Sequence, residues 1–333
     1  MPSRRSHEQL AEAARLYYVD GLSQDEVARR LGTSRPNVSR ILQAARDTGV
    51  VSFRIQYPLA RQHELEDALV ATFGMSEAIV LDAGTGASIL DRVGDLAARW
   101  LMDELADGMT VALSWGSALQ ALTGQVVANR AYDVDVVQVG GDLQVDPRMS
   151  GHEHVRELAA RIGGRYTYMY APAFVEGADC AVQLRDSHHI AQQLKRAAAA
   201  DIALIGVGGF GTGFSEQLLL SGVLDPRVRE GLMAADPAGD VCARFLDDDG
   251  QELDTPLRDQ VLAVELEDLR RIPKVVGVLS GRAKGRGLRA AMRGGLLDVV
   301  VTDQSAAAAA LRIEREVGRV RTSASEPVGG DRS

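Results

Sequence analysis

The sequence predicts an α/β protein in two parts: a small all-helical domain, then a larger Rossmann-like domain with a mainly parallel sheet. Three observations predict it. Residues 22–43, LSQDEVARRLGTSRPNVSRILQ, carry the capping and turn signals of two short helices joined by a glycine turn. Beyond residue 74, runs rich in valine and isoleucine recur without alternation, as strands buried on both faces do. Most of these runs lead through Gly or Ser into a helical stretch, and strands alternating with helices build a parallel sheet. The expected bounds are 1–57 for the helical domain and 58–318 for the α/β domain, with a disordered tail over 319–333.

The chain opens with a helix over 8–19, where Leu10, Ala13, Ala14 and Tyr17 fall at helical spacing. Ser23 and Glu26 form a capping box for the next helix, whose Val27 and Leu31 share one face. Gly32 ends it, because glycine enters the left-handed region without penalty. Ser34 is placed to cap the third helix, and Pro36 in its first turn loses no hydrogen bond. Val38, Ile41 and Leu42 face inward, which leaves Ser34, Arg35, Pro36, Asn37, Ser39 and Arg40 outward. This is a helix-turn-helix pattern, whose second helix enters the major groove of double-stranded DNA. Arginine pairs with guanine and asparagine with adenine, so the outward set suits base reading. A helical hairpin with a solvated arginine face is the plainer alternative.

Charge supports the division. The formal net charge is −9, yet residues 1–57 hold nine Arg against six acidic residues, leaving the acidic excess in the rest. A basic head on an acidic body implies that only the head meets DNA.

After a helix stop at 47–49, a short strand is expected over 50–55 and a hinge at Tyr57-Pro58. A helix over 60–73 either packs on the second domain or links the two and carries a signal between them. Strands are expected at 78–81, 110–113, 134–139, 202–205, 261–264, 275–279 and 299–301. No internal repeat is found. The N-terminus has no apolar core for a signal peptide, no run is long enough to span a membrane, and a cytoplasmic protein follows. Cys180 and Cys242 have no metal or redox spacing and read as free thiols.

Ligands of open α/β sheets bind beyond the carboxyl ends of strands. Four such ends are chemically equipped. Ser114, Trp115, Gly116 and Ser117 lead a strand into a helix whose free amides suit a phosphate. Gly140 and Gly141, followed by Asp142, close another strand with an acid for sugar hydroxyls. Gly206-Val207-Gly208-Gly209-Phe210-Gly211 matches a dinucleotide fingerprint, but the short helix after it and the turn at 224–226 disfavour that cofactor. Close backbone approach to a smaller ligand at Gly208 and Gly209 fits better. Lys284, one of only three lysines, stands in the loop after the strand at 275–279. No catalytic residue, metal site or cofactor is expected: His152, His154, His188 and His189 lack zinc-site spacing, no nucleophile elbow occurs, and 247–250 is only a fragment of a calcium loop.

At this point the chain resembles SorC-type sugar-responsive transcriptional regulators over nearly its whole length. The resemblance rests on 22–43, on SWGSAL at 114–119, on 206–209, and on GDVCARFLDDDGQELDTPL (239–257) and the stretch 266–306. It implies a helix-turn-helix domain ahead of an effector domain like ribose-phosphate isomerase and glucosamine-phosphate deaminase. It implies a phosphorylated sugar or related metabolite as effector, and dimers or tetramers. Carried over, 114–117 takes phosphate through backbone amides, Asp240 binds ligand hydroxyls, and Lys284 reaches phosphate or a carbonyl oxygen. The loop at 280–284 departs from the family, where a second glycine and an acid often precede the lysine. A regulator controlled by a phosphorylated metabolite is the expected function, and an isomerase or deaminase carrying a DNA-binding domain is the alternative.

Overall fold

The computed structural model describes residues 7–51, 59–82, 88–142, 150–222 and 224–325. The chain divides into two compact units, Met1–Pro58 and Leu59–Ser333. The strand expected over 50–55 and the hinge at 57–58 fall mostly outside the described residues.

In the first unit, helix α1 (His7–Ala14) runs into a wider π turn (Arg15–Val19). Leu16 is fully buried there, and Tyr17, expected inward, only packs at the edge of the core. Helix α2 (Gln24–Arg30) has the expected capping box: the Glu26 amide donates to Ser23 Oγ and the Ser23 amide donates to Glu26 at 2.8 Å. It ends in a Schellman turn at Gly32 (φ 62°), where the Thr33 amide reaches the Ala28 carbonyl at 2.9 Å. Helix α3 (Arg35–Asp47) then buries Val38, Ile41 and Leu42 against Leu10, Ala13 and Val27. Ser34 sits at its N-cap in extended backbone, but its side chain makes no capping bond, contrary to expectation.

The second unit begins with α4 (His63–Phe73), β1 (Glu77–Leu81) and α5 (Ile89–Glu104). Then follow β2 (Thr110–Leu113), α6 (Ser117–Gln125), β3 (Asp135–Gln138), α7 (Gly151–Ile162) and β4 (Arg165–Thr167). Helices α8 (Ala178–Asp186) and α9 (His188–Ala198) lead to β5 (Ile202–Gly209), α10 (Phe214–Leu220) and α11 (Pro226–Ala234). A hairpin of β6 (Gly239–Val241) and β7 (Arg244–Leu246) precedes α12 (Leu266–Leu269) and β8 (Lys274–Val278). The unit closes with α13 (Gly285–Arg293), β9 (Val299–Asp303) and α14 (Gln304–Ser325).

The main sheet is parallel throughout, in the order β1-β9-β8-β5-β2-β3-β4. Alternate residues of each strand enter opposite cores. Val80, Ala112, Ala203, Ile205 and Val275 pack on one face, and Leu81, Val111, Leu113, Leu204 and Val276 on the other. This two-sided burial is why the strand sequences read as continuous apolar runs. The chain leaves β2 toward β3 and β5 toward β8, in opposite directions, so the order reverses between the neighbours β2 and β5. Such a reversal opens a crevice at the carboxyl ends of the two strands.

Three expectations need correction. Residues 261–264 form no strand; Val261 and Ala263 make single antiparallel bridges to Phe174 and Gly140. The buried Arg244 guanidinium takes the carbonyls of Val264 (2.9 Å) and Ala263 (3.2 Å), which a ladder would otherwise use. Strands β4, β6 and β7, three residues each, were not expected at all. Finally, α14 continues through Gly318 to Ser325, into the expected tail; its alanine-rich start favours helix, and 326–333 lie outside the described residues.

Helix α13 is fastened on two sides. Gly287 and Gly239 close on the Gly208 carbonyl so tightly that a Cβ on either would come within 2.1 and 2.3 Å of its oxygen. On its other side, the fully buried Arg289 donates to Glu314 of α14 at 2.8 Å and to the Asp248 carbonyl at 2.7 Å. Arg293 donates to the same Glu314.

Candidate functional site

The crevice between β2 and β5 holds most of the expected effector residues. Ser114, Trp115, Gly116 and Ser117 line it from the end of β2, Gly208 from β5, Asp240 from β6 and Lys284 from the turn before α13. Ser114 is buried and its hydroxyl accepts from the Gly206 amide at 3.2 Å, which locks the β2 end to β5. Gly116 (φ 121°) is the N-cap of α6 and makes no side-chain cap, so the first amides of that helix have no side-chain partner there. Such amides attract anions.

Opposite them stands an unusual carboxylate. Asp240 is 6% exposed, and its Oδ1 is buried without a hydrogen-bond partner among the described residues. Burial pushes its carboxyl up to about 7, with Lys284 pulling in the other direction. Burial draws Lys284 below the ordinary lysine range, opposed by Asp240 and Asp303. Among the described residues Lys284 forms no ion pair, so the two charges feel each other without meeting. The loop bearing Lys284 is fixed by Asp303, whose Oδ1 accepts from the Gly281 amide at 2.6 Å.

Gly209 lies behind this wall, where a Cβ would meet the Ala283 carbonyl at 2.7 Å and Lys284 Cα at 3.1 Å. Its role is to let the lysine loop approach β5. Gly140 and Gly141 do not line the crevice. A Cβ at Gly140 would meet Ala263 Cβ at 2.7 Å, and one at Gly141 the Pro172 carbonyl at 2.1 Å. Both glycines serve packing, and Asp142 beside them accepts from Ser150 (2.8 Å) and the Gly151 amide (2.7 Å) to start α7. Asp247 likewise holds a turn, accepting from the amides of Asp249 and Gln251.

Sequence reasoning missed Cys242, Thr212, Gly213 and Phe214, which also line the crevice. Cys242 and Ala243 are the two turn residues of the β6–β7 hairpin, with Val241 paired to Arg244. Both are left-handed, at φ 51° and 64°. Two-residue hairpin turns of this hand normally take glycine or asparagine, and the left-handed region costs other residues roughly 1–2 kcal/mol each. Burial pushes the Cys242 thiol up to about 12. The signal was a Cys-Ala pair between two strand-like triplets, Gly-Asp-Val and Arg-Phe-Leu.

In the first unit, Ser34, Arg35, Pro36, Ser39 and Arg40 are exposed along α3. Arg35 leans toward Asp25 at 3.8 Å, both side chains being largely solvated. Asn37 differs from the expected outward placement. It is half-buried and its Nδ2 donates to Thr33 Oγ1 at 2.8 Å, one helical turn back.

Comparison with known proteins agrees with this architecture. Residues 57–312 match the family described as "Putative sugar-binding domain". The chain is 30% identical over 310 residues to the deoxyribonucleoside regulator of Bacillus subtilis, covering 92% of this chain and 98% of that protein. It is 30% identical over 311 residues to the transcriptional regulator LsrR of Klebsiella pneumoniae, covering 92% and 93%. The full-length sorbitol operon regulator SorC from Klebsiella pneumoniae superposes with a TM-score of 0.68 at 26% identity, over 92% of this chain and 99% of that one. No helix among the described residues is long and apolar enough to cross a membrane.

Proposed function

The chain belongs to the family of SorC-type sugar-binding transcriptional regulators, and from that premise we propose that its operator affinity is set by a phosphorylated sugar or polyol held between β2 and β5. It is a sugar-responsive transcriptional regulator. The observation that carries the proposed ligand is the Asp240 carboxylate in the crevice lining, whose buried Oδ1 has no hydrogen-bond partner among the described residues. A buried acceptor left bare is costly unless a ligand satisfies it. A sugar hydroxyl does so, while a phosphate there would be repelled. The phosphate belongs at the opposite end, on the α6 amides and Lys284, where local positive potential offsets the acidic body.

The DNA contact falls to α3, with Arg35, Ser39 and Arg40 reading bases and Ser34 and Pro36 against the backbone. One such helix reads few base pairs, so the working form is a homo-oligomer, a dimer or tetramer, on repeated half-sites in the cytoplasm. Sedimentation of the full chain checks this, and a monomer at micromolar concentration contradicts it.

The test of the effector reading is Lys284→Ala. Calorimetry with sugar phosphates shows binding lost or weakened at least tenfold, about the worth of one charge-assisted contact, while effector-free operator binding is kept. Unchanged phosphate binding in that variant refutes the site. A second reading is favoured by one observation: a carboxyl held at about 7 in a cleft suits a general base. An isomerase or deaminase would turn over one of the sugar phosphates it binds; a regulator returns it unchanged.

A further inference from the structure

The second unit begins at Leu59, and its first residues bind a sheet edge. Among the described residues, β1 has β9 on one side and no strand on the other. Residues 60–62 take that open side. The Gln62 amide donates to the Val80 carbonyl and the Asp82 amide to the Ala60 carbonyl, each at 2.8 Å, which sets Arg61 antiparallel to Leu81. An open edge is often covered by a passing segment. This one is short, and segments held by so few backbone bonds open at the low end of the stability range.

A carboxylate fastens the strap. Glu66, in the first turn of α4 and 5% exposed, shares the buried face of that helix with Leu69. Its Oε1 accepts from Arg61 Nε at 2.7 Å and from the Val80 amide at 2.8 Å. One oxygen thus ties the strap to the strand beneath it. A buried carboxylate is costly to keep unless its partners are held.

The strand end it grips is also tied to the effector crevice. In the register of β1 with β9, Val80 lies opposite Thr302 and Leu81 opposite Asp303. Asp303 is fully buried. Its Oδ1 accepts from the Gly281 amide at 2.6 Å, at the start of the loop bearing Lys284, and its Oδ2 from the Ser305 amide at 2.9 Å. Hydrogen bonds therefore run without a break from the lysine loop, across the ends of β9 and β1, to the strap. Such networks carry coupling when they end on an element with two arrangements.

We propose that residues 60–62 form a releasable strap, and that Glu66 is the positioning residue through which occupancy of the crevice reaches operator binding. A ligand phosphate that draws Lys284 shifts its loop, Asp303 follows the Gly281 amide, and the end of β1 moves under the strap. Neither Arg61 nor Glu66 lines the crevice, so the device sets the response to the ligand and makes no contact with it.

This rests on the effector reading, and the experiment separates the two. Full-length wild type, Arg61→Ala, Glu66→Ala and Glu66→Gln are titrated with pentose and hexose phosphates by calorimetry. Gel shifts then measure operator affinity with and without the sugar phosphate that binds wild type. In wild type that compound changes operator affinity about 5- to 150-fold, the usual range for coupled sites. Arg61→Ala and Glu66→Ala bind it at least as tightly, since release now costs less, and their operator affinity no longer responds. Glu66→Gln keeps an acceptor for both donors and keeps the response. The Arg61 side chain is 35% exposed, so Arg61→Ala folds even where Glu66→Ala does not. In wild type, the amides of 60–66 exchange hydrogen faster once the sugar phosphate is bound. A full response in Arg61→Ala, weakened ligand binding in that variant, or unchanged exchange over 60–66 overturns the proposal and leaves the effector site standing. A wild type that binds no pentose or hexose phosphate, or whose operator affinity none of them changes, overturns both.

Discussion

Asp240 occupies its place because residue 208 has no side chain: a Cβ built on Gly208 would lie 1.9 Å from Asp240 Oδ1. Gly208→Ala therefore moves the carboxylate without removing it. Effector affinity falls about tenfold or more, the worth of one charge-assisted hydrogen bond. Operator binding without effector is unchanged. Calorimetry and a gel-shift titration on the same preparation check both halves, and full effector affinity in the variant contradicts the assignment.

The same carboxyl makes stability depend on pH in an uncommon direction. Its folded value, about 7, lies above the ordinary aspartate value of 3.8. Between these values the folded state holds a proton that the unfolded chain has released, so the contribution is full below pH 4 and lost as pH rises through 7. The loss from this residue is several kcal/mol in order of magnitude. Urea unfolding at pH 5 and pH 8 checks it: Asp240→Asn is less sensitive to that change than wild type. Equal pH sensitivity in the two proteins rules the effect out.

On α3, the helix proposed to meet DNA, the half-buried Asn37 spends a donor on Thr33, whereas Arg35 and Arg40 are solvated. Arg35→Ala and Arg40→Ala each weaken operator binding by about 1–3 kcal/mol, and a base-reading arginine also relaxes sequence preference. Asn37→Ala acts partly through the turn, so it lowers thermal stability as well as affinity. Full operator affinity in both arginine variants refutes the interface.

Glu314 is the shared partner of Arg289 and Arg293. Glu314→Ala leaves the fully buried Arg289 charge with only a backbone carbonyl and a distant carboxylate, Asp248 at 3.8 Å. Removing one side of such a pair costs about 3–5 kcal/mol. Chemical denaturation measures it, and a loss under about 1 kcal/mol shows the pair to be solvent-relaxed.

The readable parts of this chain are those whose cause is local. Capping by Ser23, the turn at Gly32 and the doubly buried strands follow from neighbouring residues, and the structure repeats them. The crevice was readable at Ser114, Gly116, Asp240 and Lys284 because strand ends and rare residue types mark it. Other features are set by distant partners. Gly140 and Gly141 look like a ligand turn, yet their neighbours are Ala263 and Pro172, over a hundred and about thirty positions away. The segment 261–264 has strand composition, but Arg244 takes its carbonyls. The three-residue strands β4, β6 and β7 are too short for periodicity to register.

The corner where Gly208, Gly239 and Gly287 converge has a consequence for heredity. Gly239 and Gly287 are each held by the backbone of Gly208 and of one another, so a side chain at either is not tolerated and no second change rescues it by making room. That corner carries the floor of the crevice, with Asp240 beside it. A lineage adopting a new ligand must keep Gly239 and Gly287 and vary the rest of the lining, at Thr212, Phe214 or Cys242. One side of the crevice is thus frozen by packing, and the other is where descent can explore.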